Sequence, residues 1–218
     1  MKLVNVTKLT NERFLNMYDL EYEHEGKTIH WTIASRNKAD ELVSVTGKEK
    51  ADTVCIIPKY IQDGKEYVIM TKEYRQPIND YVYSFPAGLV EEGEDLFECC
   101  AREFKEEIGA EELSEVNRLS NICYNSEGMT DESVVMFEVV VSKLGAQNLQ
   151  DFEDIKTFII PVEKLEEFTE GKKLSTKAGI YCPMIVREYE LKKQIEQLKS
   201  ASKGNNNSEM NSQPGSGE

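Results

Sequence analysis

The sequence has no apolar run that approaches the length of a membrane span, and its first residues, "MKLVNVTKLTNERF", lack the apolar stretch of a signal peptide. It has only two histidines, so a histidine metal cage is not on offer. The five cysteines are odd in number and have no metal-type spacing, and Cys99 and Cys100 are adjacent, which suits neither a bridge nor a shared metal. These absences point to a reduced, cytoplasmic protein without a membrane partner.

Basic residues are also short: 26 Lys and Arg face 40 Asp and Glu, for a net charge of −14. That excludes tight binding to a nucleic-acid backbone, which needs a basic face. An acidic excess either solvates the surface or holds cations, and only local clustering distinguishes the two.

Strand and turn signals are plentiful. "FLNMYDLEYE" and "KTIHWTIASR" flank "HEGK" as a hairpin. "DTVCIIPKY" and "EYVIMTKEYR" flank "QDGK" in the same way, and "YVYSF" is a further strand closed by Pro86, Ala87 and Gly88. A helix fits from Asp95 to Ile108, with Gly109 as its stop. Later strands fit "NRLSNICY", "ESVVMFEVVV" and "IKTFIIP". A short helix fits "VEKLEEFTE", and a longer one starts near Pro183 and runs towards Lys199. From Ser200 the chain is polar and rich in Gly, Ser and Asn, which predicts a disordered tail. The reading divides the chain into an N-terminal β-sheet domain over 1–48, an α/β domain over 49–199 and a tail over 200–218.

At helical pitch, Phe97, Ala101, Phe104 and Ile108 share one stripe, expected to face the core. Glu103 then lies beside Glu106 and Glu107 at spacings of three and four. Like charges so placed destabilise a bare helix mildly. A hard cation reverses the sign, and Mg²⁺ or Mn²⁺ favours carboxylate oxygens while keeping positions open for phosphate.

The wider spacing is decisive. "GLVEEGEDLFECCAREFKEEIGA" sets Gly88, Glu94, Arg102, Glu103, Glu106, Glu107 and Gly109 in a pattern that resembles the Nudix box of the Nudix hydrolases. Seven fixed positions arise by chance about once in 10⁸ starts, so coincidence is excluded. Phe104 stands where an aliphatic residue is usual, and Ala110 is a weak occupant of the last hydrophobic position. The resemblance implies an α/β/α sandwich with a mixed sheet, preceded by a small N-terminal antiparallel sheet. It further implies two or more Mg²⁺ or Mn²⁺ ions per site, held by Glu103, Glu106 and Glu107 with the Ala87 carbonyl. It gives Arg102 the part of a brace for the glutamates, and Glu94 a supporting one.

The flanks refine the resemblance. "KEYRQPINDYVYSFPAGLVEEGE" resembles the ADP-ribose pyrophosphatase branch, which implies ADP-ribose hydrolysis to AMP and ribose 5-phosphate. That branch implies Arg75 as a phosphate or ribose contact, Trp31 and Arg36 as an adenine sandwich, and Glu132 as an acid that orients substrate. It also implies a homodimer through the N-terminal sheet, in which each active site draws on both chains. The general base is expected in "NLQDFEDIKTF", at Glu153 with Asp151 in reserve, and Glu153 is a further candidate metal ligand. The implied catalytic set is thus Glu153, Glu106, Arg102 and Glu132. The stretch "CYNSEGMTDES" lacks the proline common in the branch, which keeps other nucleoside diphosphate sugars, dinucleotides and nucleoside triphosphates open as substrates. A silent nucleotide-binding module is the remaining alternative.

Overall fold

The computed structural model describes residues 1–148 and 154–210. In chain order the strands are β1 (Lys2–Lys8), β2 (Asn16–His24), β3 (Lys27–Ser35), β4 (Thr53–Gln62), β5 (Lys65–Arg75), β6 (Asp80–Ser84), β7 (Ala87–Leu89), β8 (Ala110–Arg118), β9 (Cys123–Tyr124), β10 (Ser133–Leu144) and β11 (Ile155–Pro161). The α-helices are α1 (Val43–Thr46), α2 (Leu96–Ile108), α3 (Leu165–Thr169) and α4 (Thr176–Met210). The chain forms two compact units. The first joins residues 1–61 to 85–153, and the second joins 62–84 to 154–218.

In the first unit, β1, β2 and β3 form an antiparallel sheet in that order. The expected hairpin is there, and its tight turn uses Glu25 and Gly26, both at positive φ, as a two-residue hairpin turn requires. β1 is an addition, since its short pattern carries too few apolar residues to announce a strand. Tyr18, Leu20 and Ile33 turn to one face of this sheet and bury against Leu42. Beyond it, β10 runs parallel to β4 and antiparallel to β8, which makes the sheet mixed and the class α/β. Val54 to Ile57 and Val134 to Phe137 are buried as continuous runs, the mark of parallel strands covered on both faces. β8 falls earlier than expected. Its acids hide the strand signal, and register shifts against β10 break its alternation, so Leu113 and Val116 face inward three residues apart.

Helix α2 begins where the sequence places it. The Asp95 side chain caps it by accepting from the Phe97 N–H at 2.8 Å, and Gly109 ends it in the left-handed region at φ 73°. Its buried face differs from the expected stripe. Cys99, Cys100, Phe104, Glu107 and Ile108 are buried, while Phe97 and Ala101 are exposed. Free cysteine packs as a small hydrophobe, so the two thiols are the apolar groups that rotate the face away from Ala101. Phe97 is not lost to packing, for its ring meets that of Phe137 edge-on at 5.1 Å.

In the second unit, β5 pairs antiparallel with both β11 and β6. Val68, Ile69 and Met70 are buried, as are Ala178, Cys182 and Ile185 of α4. Pro183 does not open that helix as expected but lies inside it. The buried residues on either side of it hold the helix together across the missing N–H, at the cost of one hydrogen bond. Helix α4 also continues to Met210, past the point where a polar tail was expected. Extending a helix already anchored by packing costs far less than starting one.

Candidate active site

The site is built on β7, the loop after it and α2, all within the first unit. Arg102 is its centre. The guanidinium grips Glu94 in bidentate fashion, Nε to Oε1 at 2.7 Å and Nη2 to Oε2 at 2.9 Å. Nη1 donates to Glu103 Oε1 at 2.7 Å and lies 3.6 Å from Glu106 Oε2, while Nη2 also donates to the Leu89 carbonyl at 3.0 Å. One cation therefore orders three of the four box glutamates and ties the helix to the strand before it.

The glycines are explained by what sits on them. A Cβ built on Gly88 would fall 1.8 Å from Glu103 Cδ, so the carboxylate occupies the place a side chain would take. The close of α2 is equally full. Gly145 N–H donates to the Gly109 carbonyl at 2.6 Å, Asn148 N–H donates to the Glu106 carbonyl at 2.9 Å, and the Gln147 side chain donates to the Glu107 carbonyl. Carbonyls left over at the helix end are satisfied by this returning segment. Gln147 and Asn148 were not legible in advance, because nothing in the pattern after β10 signals a cap for a helix forty residues earlier.

Electrostatics follow from Arg102. Its hydrogen bonds hold the Glu94 carboxyl down to about 2, with a smaller contribution from the Glu91 N–H. The same bonds raise the Arg102 pKa, so it stays charged. Burial pushes the Cys99 and Cys100 thiols up to about 12.

Among the described residues, no three His, Cys, Asp or Glu side chains are drawn together closely enough to form a ready-made metal cage. The donor chemistry nonetheless suits a hard divalent ion. Glu103, Glu106 and Glu107 offer carboxylate oxygens from one helix, and Mg²⁺ uses one or two carboxylates plus substrate phosphate and water rather than an all-protein cage.

The remaining candidates fall in three places. Trp31 is half-exposed and lines a cavity of about 430 Å³ with Leu20, Tyr22, Ile33, Tyr124 and Asp131. Its indole N–H donates to the Gly128 carbonyl at 3.1 Å. Arg36 is not among the side chains lining that cavity. It pairs instead with Glu132 Oε1, so two residues expected to contact substrate contact each other. Arg75 closes β5 in the second unit and pairs with Glu73 at 2.7 Å. Glu153 and Asp151 lie outside the described residues.

The Glu94 shift has a sign that can be tested. A carboxyl depressed from 4.5 to about 2 stabilises the fold fully above the higher value and loses that contribution as pH falls towards the lower. Glu94→Gln is expected to be less stable than the parent in urea at pH 7, with the gap narrowing between pH 4.5 and 2. A gap that is constant over that range would contradict the assigned cause.

Comparison with known proteins agrees with this geometry. The family model described as NUDIX domain matches residues 49–178. A Nudix hydrolase of Schizosaccharomyces pombe is 28% identical over 175 residues, covering 76% of this chain and 81% of the relative. An ADP-ribose pyrophosphatase of Saccharomyces cerevisiae is 25% identical over 171 residues, covering 75% of this chain and 71% of the relative. The crystal structure of an ADP compounds hydrolase superposes with a TM-score of 0.62 at 20% identity, over 88% of this chain and 95% of that one, and so has the same fold. With well over half of its length inside the family model, and with the box glutamates gathered on Arg102, the chain belongs to the NUDIX domain family and is a Nudix hydrolase.

Proposed function

We propose that the protein hydrolyses ADP-ribose to AMP and ribose 5-phosphate, with water attacking a phosphorus of the pyrophosphate. The observation that carries this is the Arg102-centred set of glutamates on α2, beside a β7 glycine with no room for a side chain. Similarity to the yeast ADP-ribose pyrophosphatase supports the substrate class.

Nudix hydrolases generally use divalent metals. Glu103, Glu106 and Glu107, with the Ala87 carbonyl, are the residues proposed to hold Mg²⁺ or Mn²⁺, with Glu153 as a further candidate. When bound, such ions polarise the phosphoryl oxygens and lower the pKa of water. The rest falls to this chain's own groups. Arg102 keeps the helix carboxylates oriented, and Glu94 keeps Arg102 in place. Glu132 orients the substrate. Glu153, or Asp151 in reserve, takes the proton from the attacking water. Arg75 grips a phosphate or the ribose, for which a guanidinium fork is suited.

The Trp31 cavity supports an aromatic base beside that side chain. Its lining is largely apolar, as nucleobase stacking favours. Arg36 pairs with Glu132 through an edge N–H, and stacking on adenine uses the guanidinium face, so the two contacts are compatible.

The N-terminal sheet is proposed to form a homodimer. Val4, Leu9, Phe14, Leu15 and Met17 are exposed apolar side chains in its strands and connections. Such a concentration is unusual for a surface that faces only water.

Three measurements test these readings. With Mg²⁺, the protein is expected to release AMP from ADP-ribose, and Glu106→Gln is expected to lower kcat at least about a hundredfold, the scale of losing one transition-state electrostatic contact. Turnover independent of metal, or full activity in the variant, would refute the mechanism. Across a panel of ribose-linked nucleoside diphosphates, Trp31→Ala is expected to lower kcat/KM about tenfold for the adenine substrate and less for the others, as loss of a stacking platform implies. Equal losses across the bases would remove the adenine assignment, and a parent preference for another sugar would move the substrate to that nucleotide sugar. Light scattering at micromolar concentration is expected to give twice the 24.9 kDa chain mass, and the mass of a single chain would overturn the dimer.

A further inference from the structure

The stretch from Asn125 to Glu132 is a loop whose two ends are joined by one pair of residues. The Asn125 N–H donates to the Glu132 carbonyl at 3.0 Å, and the Asn125 side-chain amide donates to Glu132 Oε2 at 2.9 Å. The other carboxylate oxygen, Oε1, accepts from Arg36. Glu132 is thus held at both oxygens by donors of different kinds, one charged and one neutral. Two bonded oxygens fix the plane of a carboxylate, whereas one leaves it free to rotate.

The rest of the loop is equally determined. Met129 and Thr130 N–H groups both donate to the Ser126 carbonyl, at 2.9 and 3.0 Å, and Glu132 N–H donates to Thr130 Oγ1 at 3.1 Å. Against the edge of β3, Ala34 N–H donates to the Met129 carbonyl at 2.9 Å, and just past its end Asn37 Nδ2 donates to Asp131 Oδ2 at 3.3 Å. Glu127, Thr130 and Asp131 from this loop line the Trp31 cavity. The loop is therefore a wall of that cavity, and Asn125 closes its base.

We propose that Asn125 is a positioning residue, which acts through Glu132 to set both the orientation of that carboxylate and the shape of the cavity wall. The residue type is what the geometry asks for. An amide donates to a carboxylate without adding charge, so it balances Arg36 without competing for it. Aspartate at this place would set an acceptor against an acceptor, and alanine would remove the amide's bond to Oε2. The proposal rests on the reading of Glu132 as the acid that orients substrate.

The test is a double-mutant cycle on the full chain with ADP-ribose and Mg²⁺, read as KM and kcat separately. Asn125→Ala is expected to raise KM about five- to tenfold, the scale of one ordinary net hydrogen bond of about 1 kcal/mol, with kcat within about twofold and the urea midpoint little changed. Asn125→Asp is expected to raise KM further. In a Glu132→Ala background, Asn125→Ala is expected to add nothing. Unchanged KM in Asn125→Ala beside a defective Glu132→Ala would overturn the inference and leave the Glu132 reading standing. Full additivity in the cycle would also overturn it, since Asn125 would then act independently. Wild-type kinetics in Glu132→Ala would overturn the reading of Glu132 itself, and the inference with it.

Discussion

Everything at this site depends on one guanidinium. Arg102 bonds both Glu94 and Glu103, and it also holds a backbone carbonyl from the strand that precedes the helix. Each charge-assisted bond is worth about 1.5–3 kcal/mol in a partly buried setting, so the set outweighs the mutual repulsion of neighbouring carboxylates on a helix, which is a few tenths of a kcal/mol per pair. Lysine could not replace it. A point charge on a flexible stem cannot grip Glu94 with two parallel bonds while reaching Glu103 with a third. The missing Cβ of Gly88, the Asp95 cap and the returning segment at Gly145 all serve the same end, because each fixes a position from which Arg102 or a glutamate must reach the next.

Much of this was legible in advance, and the reason is that loop–helix geometry leaves few choices. The start of the helix at Asp95, the stop at Gly109 and the spacing of Glu103, Glu106 and Glu107 are local facts, set within a turn or two of chain. The hairpin over β2 and β3 was local in the same way. What escaped was non-local. The buried face of α2 differs from the expected stripe because Cys99 and Cys100, which the stripe leaves out, pack as small apolar groups. β8 was misplaced because its strand character comes from pairing with β10 and not from its own acidic residues. Helix α4 starts ahead of Pro183 because buried residues on both sides of the proline pack, which a local proline preference does not register. Asn125, Gln147 and Asn148 carry no local signal at all, since their partners lie seven to forty-two residues away in sequence.

The N-terminal sheet does more than sit before the family domain. Residues on and just past β3 reach the loop 125–132 by a main-chain bond, an indole N–H, an amide and a guanidinium. The residues that line the Trp31 cavity accordingly come from both ends of the first unit's sequence, with Leu20 and Ile33 from the sheet and Tyr124 and Asp131 from beyond α2. Variation in the sheet can change the cavity without altering any box residue.

The thiols packed into α2 have a consequence for redox chemistry. Cys99 lies 3.5 Å from an Arg102 nitrogen, close to the charged centre, and a cysteine beside a cation would ordinarily be a reactive nucleophile. Burial wins instead. With its pKa pushed up to about 12, the thiolate is about one part in 10⁵ at neutral pH, and Cys100 behaves alike. Peroxides and alkylating agents attack thiolates, so the helix that carries the glutamates is insulated from both. Of the five cysteines only Cys123 is exposed, and it lies one residue before Tyr124 in the cavity lining. Oxidation of thiols would thus register first beside the cavity and last at the helix that carries the glutamates.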